Sequence, residues 1–465
     1  MYTHTSMNLF FRKVLRVVLI SFVLLVSLLV GWLGYVSYLT IQNDRACGGQ
    51  ITMIKESNYT QNDEELQRVL DNYSAKKAGV GLQATVIFPD GTVWSGVSGC
   101  ANHKKKCRLT LDHHLYIGSM TKLFTATLVM EQVEKGKITL DDPLSKWIDL
   151  PYAEKITVGM LLNHTSGIPS YTEDPWFLVR WFGFPKKRWR PDELVAVIRN
   201  KELKFEPGSR HEYSNSNYLL LGVILENVSD KAYGVLLREL IVNRLGLEDT
   251  YYLNYSKNIL IANGYDETLL HLGRRNLAGF RRPLETGAFS AGGILSTSED
   301  VASFVHSLFL ERILDGSTLA QMEAFIKAPD EDVPLQKGYG LGIRNLIVGG
   351  ENLIGHTGTI PGYSGIAMHN DEKHYTIVIL SNLSVIEQTQ LFEEVQHIVI
   401  DRLQMRKQQN IHPHQHKMIN KNVYPHLYNS GHAVRYCSPK PFRTSNSRIS
   451  LYDILPKPKE VNLYV

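Results

Sequence analysis

Strand-like runs occur only towards the two ends of this chain's interior, and that distribution leaves few ways to fold it. Gly81–Phe88 and Thr92–Ser98 are joined by Pro89-Asp90-Gly91, a strong hairpin signal. Tyr339–Ile347, Gly362–His369 and Tyr375–Ser381 are strand-like too, separated by Gly, Asn or Asp. A short helix at Asp63–Tyr73, with Leu66, Val69 and Leu70 on one face, precedes the first pair, and Glu387–Leu403 closes with helical spacing. Strands so distant in sequence bury their apolar faces together only if the two ends meet. The expectation is an α+β fold in which one antiparallel sheet is flanked by helices, with a mainly helical lobe inserted at about 141–289.

The formal charge of +4 over 465 residues is a sum of unlike parts. Residues 406–465 hold ten Lys or Arg against Asp453 and Glu460, with no apolar periodicity. A segment of that composition buries too little surface to pack, so a basic, disordered tail is expected there. Its His412-Pro-His414-Gln-His416 tract could take up a metal, although such tracts are more often solvated chain. With Arg12, Lys13 and Arg16 also set aside, residues 17–405 are acidic by seven charges. That balance, with no basic fold motif, excludes a nucleic-acid binder.

No side chain from Val17 to Asn43 carries a full charge. A bilayer crossing requires roughly 20 apolar residues, against about 7–15 for a signal-peptide core. No small-residue cleavage site follows the run, and Cys47 lies in no lipobox. Arg12, Lys13 and Arg16 on its near flank keep residues 1–16 in the cytoplasm by the positive-inside rule, while Trp32, Tyr35 and Tyr38 suit the far interface. The expectation is one transmembrane helix, an uncleaved signal anchor at 17–40, with a linker at 41–62 and a domain at 63–405 on the extracytoplasmic side of the cell membrane. A long cleaved signal peptide is the alternative. Cys100 and Cys107 flank the polar turn His103–Lys106, where either a hairpin-closing disulfide or two free thiols would fit. None of the four cysteines has a zinc-site spacing.

Three short motifs carry the chemistry. Ser119-Met120-Thr121-Lys122 opens a stretch of helical periodicity that stops at Gly136. A serine at a helix start feels the positive end of the macrodipole, which favours the alkoxide. A lysine three positions on returns to the same face, and a buried amine of lowered pKa can take the hydroxyl proton. Alone, Ser119 reads more simply as an N-cap, and Ser74-Ala75-Lys76-Lys77 matches the same pattern.

The second motif is Tyr213-Ser214-Asn215, followed by the apolar helix Asn217–Val228. A phenol between two cations can have a depressed pKa and shuttle a proton, and Asn215 can bind Lys122 or a substrate amide. Tyr252-Leu253-Asn254 matches the bare pattern, and a lone Tyr-x-Asn is ordinary loop packing. The third motif, His356-Thr357-Gly358-Thr359, lies on a strand beginning at Asn352. Gly358 leaves the strand edge open, and the Thr359 and Ser119 backbone N–H groups could form an oxyanion hole. His356 could donate to the tyrosine or to a substrate carboxylate; alone it reads as a surface histidine.

In this order and context the three motifs resemble the serine β-lactamase family, above all the class C β-lactamases and their penicillin-binding and DD-carboxypeptidase relatives. Leu161–Ile168 and Ser290–Thr297 are further family-like phrases, and the resemblance spans roughly Asp63–Leu403. It implies a β-lactamase/DD-peptidase-like fold and a serine hydrolase without cofactor or metal. Ser119 would be the acylated nucleophile, Lys122 and Tyr213 the proton-transfer pair, and Asn215, His356, Thr357, Gly358 and Thr359 the substrate-binding set. Class C enzymes usually carry lysine where His356 stands. Histidine there is similar to certain DD-peptidases and family esterases, which argues against efficient β-lactamase activity. No class A-type deacylating glutamate can be placed. The expected substrate is a D-alanyl peptide of peptidoglycan. An esterase or weak β-lactamase is the first alternative, and a silent ligand-binding or scaffold relative the second. The intact Ser119, Lys122 and Tyr213 argue against the last.

Tyr171–Arg190 interleaves Trp176, Phe177, Trp181, Phe182, Phe184 and Trp189 with five basic residues. Lobe packing, a cleft wall and a membrane-surface patch are its three readings, with packing ahead.

Overall fold

The two ends of the interior meet in one sheet. The computed structural model describes residues 15, 18–31, 41–42, 61–267, 273–330, 333 and 335–411. Eight of its strands form an antiparallel sheet: β1 (Leu82–Ile87), β2 (Val93–Ser98), β3 (Ile326–Lys327), β4 (Gln336–Tyr339), β5 (Arg344–Val348), β6 (Glu351–Ile360), β7 (Tyr363–Asn370) and β8 (Tyr375–Ser381). Their spatial order is β3-β4-β5-β6-β7-β8-β1-β2. The N-terminal hairpin thus adds to the C-terminal strands through β8 and β1, with Ile379 opposite Ala84. The single run expected at Tyr339–Ile347 is two strands, β4 and β5, because the chain reverses through Gly340-Leu341-Gly342, where Gly342 has φ +85°.

Seven helices matter for the site: α1 (Gln61–Lys76), α2 (Thr121–Glu134), α3 (Asn215–Ser229), α4 (Arg281–Gly292), α5 (Ser298–Phe309), α6 (Gly316–Met322) and α7 (Gln388–Ile411). α1 and α7 cover one face of the sheet, where Leu66, Leu70, Leu391, Phe392, Val395 and Val399 join a buried cluster with Val86, Ile366 and Ile377. α5 covers the other face, and Phe304 stacks on Phe124 of α2 at 3.7 Å between ring centroids. With both faces covered, every residue of β7 and β8 is buried, so neither strand alternates between core and solvent. Between α2 and α5 the chain is mainly helical, with four short strands at Leu260–Ile261, Tyr265–Glu267, Arg274–Asn276 and Leu295–Ser296.

α2 is buried on all sides from Thr121 to Gln132. It has no polar stripe for water, which is the pattern of a central core helix. Its threonines remain satisfied inside that core, since the Thr125 hydroxyl donates to Ser290 O at 2.7 Å and the Thr127 hydroxyl to Leu123 O at 2.9 Å.

Residues 18–31 are helical, with exposed apolar side chains. Among the described residues no helix is long and apolar enough to cross a membrane. The rest of the expected anchor, nearly all of 1–16, most of the linker and the tail beyond Ile411, with its His412–His416 tract, lie outside the described residues. Helix α7 runs past position 405 to Ile411. Cys100 and Cys107 each carry a disulfide rather than a free thiol.

One buried amide joins the sheet to the remainder. Asn382 Oδ1 accepts from Gly81 N at 2.8 Å, while its Nδ2 donates to Cys100 O at 2.8 Å and Asn263 O at 3.0 Å. Asn382→Ala would strand three buried backbone groups and should destabilise the protein by roughly 3 kcal/mol or more, read by chemical denaturation. A loss within about 0.5 kcal/mol of zero would show that water replaces the amide there.

Candidate active site

Ser119 sits in a 3-10 turn, Gly118–Met120, that feeds directly into α2. The caps of both elements make no side-chain hydrogen bond, so Ser119 is not an N-cap. Two glycines bring β6 against this turn. A Cβ on Gly358 would lie 2.1 Å from Ile117 O, and one on Gly118, whose φ is +54°, would lie 2.9 Å from Thr359 N. Neither position tolerates a side chain. The backbones of Ser119 and Thr359 are consequently neighbours across a seam that larger residues would open.

Lys122 lies one turn further along α2 with no exposed surface. Its Nζ is 2.7 Å from Asn215 Oδ1, 2.7 Å from Ala291 O and 3.0 Å from Ser119 Oγ. None of the three partners is a carboxylate. Desolvation, reinforced by the Arg344 guanidinium, therefore pushes the amine well below the ordinary lysine range. Each carbonyl is held in place. Asn215 Nδ2 donates to Thr172 Oγ1 at 2.9 Å, which turns Oδ1 towards the lysine. Ala291 follows a break inside α4 at Phe289 (φ 43°, ψ −134°), and that break swings the Ala291 carbonyl at Lys122.

Tyr213 approaches from the turn before α3, with its ring centroid 4.9 Å from Lys122 Nζ. Its hydroxyl is buried beside Ser119 and Arg344 without a well-formed hydrogen bond to either. Burial raises the phenol's pKa, and Arg344 and Ser119 offset this only in part. The depressed pKa expected of a phenol between two cations is not found, because desolvation outweighs them.

Thr357 and Thr359 alternate out of β6 into a cleft of about 760 Å³ that Ser119, Tyr213, Asn215 and Arg344 also line. His356 points the other way and is fully buried. Its Nε2 lies 2.9 Å from the Tyr339 hydroxyl, and its Nδ1 faces Thr357 O. Its ring lies beside Tyr213, 6.4 Å between centroids, while alternation along β6 puts its neighbour Thr357 on the cleft side. Tyr339 also meets His164 Nε2 at 3.2 Å, and His164 Nδ1 accepts from Ser214 N at 3.2 Å. Since Nδ1 accepts, His164 donates from Nε2, Tyr339 donates to His356, and His356 donates to Thr357 O. This polar chain runs from the Ser214 backbone, next to Tyr213, to the carbonyl of Thr357 on β6. Burial holds both histidines far below their usual pKa.

Arg344 on β5 is the residue that sequence reasoning missed. Its side chain is 5% exposed and its Nη1 pairs with Asp330 at 2.8 Å and with Gln336 Oε1. Its guanidinium carbon lies 4.9 Å from the Tyr213 ring centroid. No motif surrounds it; only its inward register in β5, opposite Gly355, places it. The other matches to the first two motifs have structural uses. The Ser74 hydroxyl donates to Val80 O at 2.7 Å, and Leu253 and Asn254 form a left-handed turn. In the aromatic stretch Phe177, Trp181 and Trp189 pack inside, whereas Trp176 and Phe184 are exposed.

A family model described as Beta-lactamase matches residues 66–393. Penicillin-binding protein 4* of Bacillus subtilis (strain 168) is 26% identical over 315 residues, covering 65% of this chain and 68% of that protein. Protein flp of Staphylococcus aureus (strain MRSA252) is 25% identical over 339 residues, covering 70% of this chain and 64% of flp. About a third of each relative thus lies outside the match. Among solved structures, D-amino acid amidase from Ochrobactrum anthropi SV3, complexed with L-phenylalanine amide, is 28% identical with a TM-score of 0.66. That match covers 75% of this chain and 100% of the amidase.

The buried histidines predict a direction of acid sensitivity. A histidine whose folded pKa lies below its unfolded value binds its proton more readily when unfolded, so stability falls as pH drops. His164 and His356 both lie well below 6.5 in the fold, and His103, His113 and His211 are lowered to about 4. The unfolding midpoint should fall continuously as pH is lowered from about 6.5, read by thermal melts. Asp300, raised from 3.8 to about 6, acts in the opposite sense and offsets part of that loss across the window. A melt independent of pH between 6.5 and 4 would contradict the buried placement of these rings.

Proposed function

The chain belongs to the beta-lactamase family and is a serine hydrolase, and on that premise we propose that Ser119 forms an acyl-enzyme with D-alanyl peptides of the peptidoglycan class. The observation that carries the reading is Lys122. A neutral amine has two N–H groups and one lone pair, and the two shorter contacts of Nζ are to carbonyl oxygens, which can only accept. Donating to Asn215 Oδ1 and Ala291 O leaves the lone pair facing Ser119 Oγ at 3.0 Å, which then donates. Lys122 takes the hydroxyl proton as Oγ attacks the substrate carbonyl carbon. The oxyanion settles between the Ser119 and Thr359 backbone N–H groups. Tyr213, neutral and without a well-formed hydrogen bond, gives its proton to the leaving nitrogen and is reprotonated from Lys122. Water then attacks the ester and returns the proton by the reverse route. Thr357 and the β6 edge align the acyl chain. The His356–Tyr339–His164 chain positions that strand against the Tyr213 loop.

A second reading, a D-amino acid amide or ester substrate, is favoured by one observation. Among the described residues lining the cleft, the only Lys or Arg is Arg344, which Asp330 already neutralises. A substrate whose leaving group carries a free carboxylate gains little from a paired cation, whereas an uncharged leaving group loses nothing. The D-amino acid amidase among the similar structures agrees with this direction. Intact-protein mass spectrometry with a D-Ala-D-Ala peptide, D-phenylalanine amide and a β-lactam separates the two. An acyl adduct on Ser119, absent in Ser119→Ala, is expected. Turnover of the amide about tenfold or more above the peptide would select the second reading. Unchanged hydrolysis by Ser119→Ala would overturn both.

We also infer a membrane-anchored location, with the hydrolase outside the cytoplasm. The uncharged run 17–43, its basic flank, the exposed apolar helix at 18–31 and the disulfides at Cys100 and Cys107 support it. Extraction of the full chain by detergent but not by carbonate is expected, and release by carbonate would contradict it.

A further inference from the structure

The turn between β7 and β8 lies at the opposite end of the sheet from the cleft. Thr359 at the cleft pairs with Ser364, and His369 is five residues further along β7, about 17 Å away at ~3.4 Å per residue. His369 is fully buried, stacked on Phe309 of α5 at 5.4 Å between centroids. Its Nε2 is buried without any hydrogen-bond partner. Two exposed residues of the turn, Asp371 and His374, bring a carboxylate oxygen and a ring nitrogen beside the His369 ring, and the three ligand atoms lie within 4.8 Å of one another.

We propose that His369, Asp371 and His374 form a binding site for a divalent transition cation, Zn²⁺ being the best match in class, which staples the β7–β8 turn. Two imidazoles and one carboxylate are a donor set that such borderline cations prefer over Mg²⁺ or Ca²⁺. Bonds of about 2.0–2.1 Å to a tetrahedral ion set ligand atoms roughly 3.3 Å apart. Closing from within 4.8 Å requires only the two exposed turn residues to move, while His369 stays fixed. Water completes the fourth position.

Two further observations point the same way. Thr376 Oγ1 lies 2.8 Å from His369 Nδ1 and 3.0 Å from His306 Nδ1. One hydroxyl carries one proton, so it can donate to only one ring and must accept from the other. Of the two arrangements, donation from His369 Nδ1 to Thr376, and from Thr376 to His306, leaves the His369 Nε2 lone pair free. A hydrogen bond to the far nitrogen is how metal-binding histidines are commonly fixed in one tautomer. The turn's own cation, Lys373, is committed to Glu351 rather than to Asp371. Glu323, at the end of α6, is pushed up to about 7 by burial and by the negative charges of Asp371 and Glu311. A cation between Asp371 and the histidines would relieve that repulsion.

The test uses the full chain and Zn²⁺ itself, with the tail tract removed as a competitor by His412→Ala, His414→Ala and His416→Ala. Calorimetry of this background variant with Zn²⁺ should give one equivalent bound, with a raised melting temperature. Adding His374→Ala or Asp371→Asn, both exposed turn residues, should weaken binding about tenfold or more. Neither should alter formation of the Ser119 adduct, which also controls for folding. Co²⁺ should develop a visible absorption band on the background variant and lose it with His374→Ala. No zinc binding by the background variant, or binding unchanged by His374→Ala, would overturn the proposal.

Discussion

A primary amine held without a counter-ion at the centre of the domain is the constraint around which the remaining parts are arranged. Lys122 has no exposed surface and three partners that are all uncharged. A charged ammonium there would forfeit its hydration without an ion pair in return, so the neutral form is favoured. The cost of supplying two correctly aimed carbonyls is visible elsewhere. Phe289 adopts a strained backbone conformation within α4 to turn Ala291 inward, and Thr172 is committed to orienting the Asn215 amide. The helix that carries Lys122, and that the Ser119 turn leads into, is buried from Thr121 to Gln132, which ties both side chains to a rigid element.

Charge near the phenol comes from an unexpected direction. With histidine at position 356, the third motif contributes a neutral, buried ring that donates to its neighbour's carbonyl and accepts from Tyr339. The cation beside Tyr213 is Arg344, one strand further out, and Asp330 and Gln336 hold it there. Arg344 can therefore stabilise negative charge on the phenol while leaving the cleft with little net positive potential. That distinction separates substrates by the charge of their leaving group rather than by the chemistry of acylation.

How much of this was legible from residues alone follows from what each signal measures. Periodicity located the hairpin β1–β2 and strand β8 nearly to the residue, because buried strands with turn residues at both ends leave little freedom. It merged β4 and β5, since the intervening Gly340-Leu341-Gly342 reversal is as apolar as the strands around it. Ser119, Lys122, Tyr213 and Asn215 were marked by short motifs in helical or turn context, and the fold brings all four together. Arg344, Tyr339 and Asp330 carry no local pattern. Their roles arise from strand register and from contacts across long sequence separations, which a single sequence does not encode in any window. The inward turn of His356 was likewise invisible, since alternation along β6 settles which neighbour faces the cleft only once the helix side of the sheet is known.

The claim on which the account rests is that Lys122 is a neutral base poised against Ser119, and the pH dependence of acylation reads it most directly. With saturating corrections removed by measuring kcat/KM for an uncharged D-amino acid amide, the ascending limb reports the free enzyme's essential base. The account predicts a limb well below the ordinary lysine value of 10.5, which is absent from the residual activity of Lys122→Ala. An ascending limb in the normal lysine range, or one that survives removal of Lys122, would contradict it.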